Sequence, residues 1–84
     1  MKVSIYSLKN TLFDAEALSL TCDTTIGQIT VLDNHEPLIT TLKEGMIKIV
    51  DKANKENYIR VRDGFLEVRS QGHVRAIIEE GTKS

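Results

Sequence analysis

Apolar residues in this chain recur at every second position in short runs. Val3 and Ile5 alternate with Ser4 and Tyr6; Leu18, Leu20 and Cys22 with Ser19, Thr21 and Asp23; Ile29 and Val31 with Gln28, Thr30 and Leu32. Ile47 and Ile49 lie between Met46, Lys48 and Val50, Ile59 and Val61 flank Arg60, and Leu66 and Val68 flank Glu67. Val74, Ala76 and Ile78 close the series around Arg75 and Ile77. A strand sends alternate side chains to opposite faces, so each run predicts a strand with one buried face and one wetter face.

Turn-forming residues fall between the runs. Lys43-Glu44-Gly45, Lys52-Ala53-Asn54-Lys55 and Ser70-Gln71-Gly72 read as hairpin loops. Asp63-Gly64, between Tyr58–Arg62 and Phe65–Arg69, reads as a two-residue hairpin turn of type I′. Pro37 is the only proline and is expected at a strand start or edge, where its missing amide hydrogen costs nothing. Asp14–Leu20 holds a helix-like Ala-Glu-Ala-Leu, but the Thr-Cys-Asp-Thr-Thr that follows favours strand. The pattern predicts an all-β domain, an antiparallel sandwich or barrel.

Length and composition narrow this. The 84 residues have room for one domain, with an expected radius of gyration of about 12 Å. A 40% apolar and 27% charged composition fits a packed globular chain. Net charge is −1 with both signs interspersed, and no basic block argues for nucleic acid or anionic lipid. Cys22 is the only cysteine, which excludes an internal disulfide and favours a reducing compartment. Met1–Ile5 is no secretory leader, and no apolar run reaches the ~20 residues that cross a bilayer. A soluble, cytosolic chain is expected, reaching a membrane only through a partner.

Two clusters invite a chemical reading. His35 lies in Asp33-Asn34-His35-Glu36, where a carboxylate beside an imidazole suits a general base. The plainer reading is a surface loop whose Asp33 or Asn34 nucleates a turn, and no Ser, Cys or metal partner accompanies His35. Arg60, Arg62, Arg69 and Arg75, with Tyr58 and Phe65 nearby, suit a small barrel that binds single-stranded nucleic acid or glycan. Against it stand the acidic overall balance and the chance of cross-strand pairing to Glu56, Asp63 and Glu67. His73 opens a strand and is assigned no function. Phosphate-binding glycine loops, nucleophile elbows and metal-ligand spacings are missing from the sequence.

The stretch Gly27–Gly45 is more specific than composition. Gly27, Val31, Leu32, His35, Pro37, Leu38, Ile39, Thr40, Leu42 and Gly45 match, at the same spacing, the signature of the epsilon subunit of rotary ATP synthases. Leu12-Phe13 followed by Asp14-Ala15-Glu16, the strand Phe65-Leu66-Glu67-Val68 and the final strand Val74–Glu79 resemble further family segments. The similarity runs from about Val3 to Gly81. It implies a two-sheet antiparallel β-sandwich of roughly ten short strands over residues 1–81, then a short tail at 82–84.

The resemblance also implies a role. Such a domain is a non-catalytic rotor subunit at the foot of the central stalk, coupling the gamma subunit to the membrane proteolipid ring of a proton- or sodium-driven ATP synthase. It sits on the cytoplasmic side of the bacterial inner membrane, or of an equivalent energy-transducing membrane. Gamma takes one side and the polar loops of the ring take one end. By this analogy the partner-binding residues are Gly27, Gln28, Thr30, His35, Pro37, Leu38 and Leu42, on a loop spanning Gly27–Pro37 and the strand after it. No catalytic residue, cofactor or metal is expected. An adaptor that bears torque is expected to show an exposed apolar patch on one sheet.

The chain departs from the family pattern at Asp33-Asn34 in place of Pro-Gly, at Glu36 in place of Ala, at Gln28 in place of an acid and at Thr30 in place of Gly. Asn adopts the left-handed conformation nearly as well as Gly, so the turn at Asn34 is expected to survive. Gln28 replaces an ion pair to the ring with at most a neutral hydrogen bond. Family members commonly continue into two C-terminal helices that inhibit ATP hydrolysis and, in some, bind ATP. With that region absent, neither property is expected of this polypeptide.

Overall fold

The computed structural model describes residues 1–81, so the tail expected at 82–84 lies outside the described residues. Seven strands follow in order: β1 (Lys2–Tyr6), β2 (Thr11–Thr24), β3 (Gly27–Leu32), β4 (Leu38–Leu42), β5 (Gly45–Asp51), β6 (Glu56–Arg69) and β7 (His73–Glu80). The count falls short of ten because β2 and β6 are each 14 residues long and each serves both layers. The first part of β2 pairs with β1, and its second part with β3 and β5. Likewise the first part of β6 pairs with β5, and its second part with β4 and β7. One hydrogen-bonded sheet thus folds over on itself into the two layers of a sandwich. All pairings are antiparallel except β1–β7, which join the two ends of the described chain side by side in parallel.

Two local devices turn the long strands. Asp63-Gly64 makes no hairpin; it lies inside β6, where the register against β7 shifts between Val61 and Asp63. Only Gly64 of the two has positive φ, at 156°, so the backbone kinks where a type I′ turn would need both residues positive. A Cβ at Gly64 would overlap the Ile77 carbonyl oxygen and lie 2.9 Å from Ile78 Cα. In β2 the register against β5 shifts between Ala17 and Ser19. That bulge buries Ala17 and Leu20 and turns Leu18 outward, against the expectation that Leu18 shares the face of Leu20 and Cys22.

Elsewhere the alternation holds, except in β1, where Ser4 is buried along with Val3 and Ile5. Val3, Ile5, Leu20, Val31, Ile47, Ile49, Val61, Leu66, Val74 and Ile78 form the core between the layers. The radius of gyration is 11.6 Å. In the β5–β6 hairpin, Asp51 Oδ1 accepts from the amides of Ala53 (3.0 Å) and Lys55 (2.9 Å), and Asn54 takes φ 64°. These bonds, the one from the Lys55 amide foremost, hold the Asp51 carboxyl below its ordinary pKa. Asn34 takes φ 70°, as the sequence predicts, and the loop closes with the His35 amide donating to Leu32 O at 3.2 Å.

Candidate interaction surfaces

The segment Gly27–Pro37 is mostly strand rather than loop. β3 occupies Gly27–Leu32, and at ~3.3 Å per residue it spans about 20 Å. It therefore divides the expected site residues between two ends of the sandwich. Gly27 and Gln28 belong to the first end, where the β2–β3 and β4–β5 turns lie side by side. There the Thr25 amide donates to Thr41 O at 3.2 Å and the Lys43 amide to Asp23 O at 2.9 Å. Thr24 Oγ1 braces the turn, donating to Gly27 O at 2.6 Å and accepting from the Ile26 amide at 3.2 Å. Ile26 projects from the tip, 78% exposed. The Gln28 side-chain amide donates to Asp23 Oδ1 at 3.4 Å.

His35 and Pro37 lie at the other end, in a loop exposed from Asp33 to Pro37. His35 Nδ1 is 2.9 Å from Glu36 O. Asp33 turns away from it, its Oδ1 3.1 Å from the Met1 amino group, which also donates to Ala17 O at 3.0 Å. This is a solvent-facing loop that holds neither carboxylate against the imidazole, and the general-base reading of His35 loses its geometry. Thr30 sits between the ends on an outer face, its hydroxyl 3.0 Å from that of Thr21. Leu38 is half-buried against the core, and Leu42, 3% exposed, belongs to the core itself.

The four arginines do not gather on one face either. Arg60 is paired beside Met46 in the β5 layer, whereas Arg69 and Arg75 lie in the β7 layer. Arg62 reaches Glu79 at 3.3 Å and Arg69 reaches Glu67 at 3.9 Å. Among the described residues a continuous basic track for a nucleic-acid backbone is not assembled.

What the folding does assemble is apolar. On the outer face of the β4–β6–β7 layer, Ile39, Phe65 and Ile77 are 72%, 61% and 51% exposed and line one shallow cleft of about 420 Å³ with Glu67 and Arg75. Phe65 and Ile77 are direct cross-strand partners, as are Phe65 and Thr41. Such a patch on one sheet is expected from the sequence, though not its members. Alternation sets only Ile77 opposite the buried Val74, Ala76 and Ile78; the convergence of Ile39 and Phe65 with it depends on pairings between strands distant in sequence.

Further along that face a second, polar group forms that the sequence does not announce. Ser4 Oγ donates to Asp14 Oδ1 at 3.0 Å and lies 3.5 Å from His73 Nε2, while Lys2 Nζ stands 3.2 Å from the same Asp14 oxygen. The hydrogen bonds from Lys2 and then Ser4 hold Asp14 below the ordinary carboxyl pKa. Here the acid holds the serine rather than the histidine, and Ser4 is buried. The group ties β1, β2 and β7 together and does not form a charge-relay nucleophile, which needs the histidine between the acid and the hydroxyl.

Fold and surfaces define an all-β sandwich domain whose outward chemistry is an apolar face and a protruding turn pair. The family model for the ATP synthase delta/epsilon chain β-sandwich domain matches residues 1–79, and the chain belongs to this family. It is 34% identical over 70 residues to the ATP synthase epsilon chain of Dichelobacter nodosus, covering 83% of this chain and 49% of that one. Against the ATP synthase epsilon chain of Clostridium kluyveri it is 36% identical over 70 residues, covering 83% and 53%. The chain thus spans about half the length of these curated relatives.

The fold also matches a chain in a cryo-EM structure of Euglena gracilis mitochondrial ATP synthase, OSCP/F1/c-ring, with TM-score 0.84 at 19% identity over 95% of this chain and 51% of that one. A chain in the central stalk/c-ring structure of the Tetrahymena thermophila mitochondrial enzyme matches with TM-score 0.77 at 15% identity, covering 95% and 63%.

Proposed function

We propose that this domain works as a non-catalytic rotor adaptor in the central stalk of a rotary ATP synthase, passing torque between the gamma subunit and the membrane proteolipid ring. The observation that carries the reading is the Ile39–Phe65–Ile77 patch on a family member of this fold. Apolar side chains gathered from three strands into one cleft on an outer sheet face mark a site covered by a partner. Gamma covers this face, and the exposed neighbours His35 and Pro37 border it from the start of β4. The ring loops meet the opposite end through Ile26, Gly27 and Gln28, while Thr30 faces outward between the two contacts. Leu38 and Leu42 act from beneath, by supporting β4.

Torque transfer suits this body. A close-packed interior has little free volume to absorb strain, and the two contacts lie on different sides of it. A stable contact of this kind buries at least ~1,000 Å² in total. The domain takes its place on the cytoplasmic side of the energy-transducing membrane, held there by its partners.

Co-purification with gamma and the core hexamer tests the reading. The wild-type chain should be retained, and the double variant Phe65→Ser, Ile77→Ser should be lost while remaining folded. Retention of that variant at wild-type level, or loss of the wild-type chain, would contradict it.

A further inference from the structure

Among the described residues, the one cation lining the apolar cleft, Arg75, makes no ion pair. Glu67 and Arg75 are direct cross-strand partners, yet they do not pair. Glu67 Oε2 turns to Arg69 Nε at 3.9 Å, and the Arg75 guanidinium lies 5.9 Å from the centroid of the Tyr6 ring on β1. Tyr6 holds it by attraction of the cation to the ring face, at the margin of the cleft that Ile39, Phe65 and Ile77 line.

That arrangement constrains what can cover the face. A purely apolar surface laid over the cleft would strip water from an unpaired guanidinium, and an ion desolvated without a partner is costly. A partner that brings a carboxylate removes the cost, because the planar guanidinium offers a carboxylate two parallel hydrogen bonds. We propose that Arg75 determines the specificity of this face: it reads an Asp or Glu on a partner protein, placed beside an apolar side chain that fills the cleft. The inference rests on the stalk reading, with gamma as that partner.

The test is a binding titration of the labelled chain with purified gamma subunit, at about 50 mM and about 300 mM salt, since a charge contact at an interface margin is screened over this range. Arg75→Met, which keeps the apolar stem, should bind about tenfold more weakly at low salt and lose most of the salt dependence. Arg75→Lys should restore the salt dependence and only part of the affinity. Because Arg75 is exposed, the thermal midpoint of both variants should match wild type.

Equal affinity and equal salt dependence for Arg75→Met, while Phe65→Ser still weakens binding, would overturn the role of Arg75 and leave the stalk reading standing. Failure of the wild-type chain to bind gamma would overturn the stalk reading and this inference with it. A labelled single-stranded oligonucleotide that binds wild type and not Arg75→Met would overturn the assignment to a protein partner.

Discussion

Replacing Gly64 by Ala tests whether the kink in β6 is what lets one strand serve two layers. The added Cβ would overlap the Ile77 carbonyl oxygen and approach Ile78 Cα at 2.9 Å, at a backbone φ of 156°. The obstacle is the β7 backbone, which cannot rotate aside as a long side chain would. Overpacking of this kind costs about 1–3 kcal/mol, and holding a residue with a side chain in glycine-only backbone space costs about 1–3 kcal/mol more. A combined loss of about 2–6 kcal/mol is a large share of the roughly 4–13 kcal/mol expected for a domain of this length.

Gly27→Ala is the control. It has φ 122° but nothing within 4 Å of the new Cβ, so only the backbone cost of about 1–3 kcal/mol applies. Urea unfolding followed by far-UV circular dichroism measures both. With a slope near ~1 kcal/mol per molar for so small a domain, Gly64→Ala should lower the midpoint by about 2 M or more. A Gly64→Ala midpoint equal to wild type, or one no lower than that of Gly27→Ala, would refute the reasoning.

Further substitutions and titrations probe other parts. Burial pushes the Cys22 thiol up to about 12, so a thiol reagent at pH 8 should leave it unmodified in the folded chain and label it at the rate of unfolding. Labelling as fast as a free thiol would count against its place in the core. The Asp51 carboxyl is held below its ordinary pKa by the β5–β6 loop, so its contribution to stability is present above the unfolded carboxyl range and fades as pH falls through the lowered folded value. Asp51→Asn should therefore flatten the acid limb of a stability profile, which an unchanged limb would contradict. Leu66→Ala, at a fully buried site, should cost about 2–5 kcal/mol. Phe65→Ser, on the outer face, should leave the urea midpoint close to wild type, and a large drop there would mean Phe65 belongs to the core.

Much of this fold was legible because period-two patterning acts locally. Alternation alone places Ile47 with Ile49, and Val74 with Ala76 and Ile78, on the buried face, and Asn34 takes the left-handed turn its residue type allows. Asp63-Gly64 misled because the same dipeptide that favours a tight turn also supplies a strand kink, and only the partner strand decides which. Leu18 misled because a bulge reverses the phase of everything before it. The surfaces were harder still. Gly27 and His35 are near in sequence yet sit at opposite ends of β3, whereas Ile39 and Ile77 are far apart in sequence and share a cleft. Likewise, Ser4 meets His73 only because β1 and β7 pair in parallel, which no local pattern encodes.

Cross-linking in the assembled enzyme tests the central claim most directly, and buried Cys22 leaves a quiet background for it. Single cysteines at Ile26, on the turn tip, and at Phe65, on the apolar face, should link to different neighbours: Ile26→Cys to a proteolipid ring loop and Phe65→Cys to gamma. Both cysteines linking to the same subunit, or neither linking to the stalk or the ring, would contradict an adaptor gripped on one face and at one end.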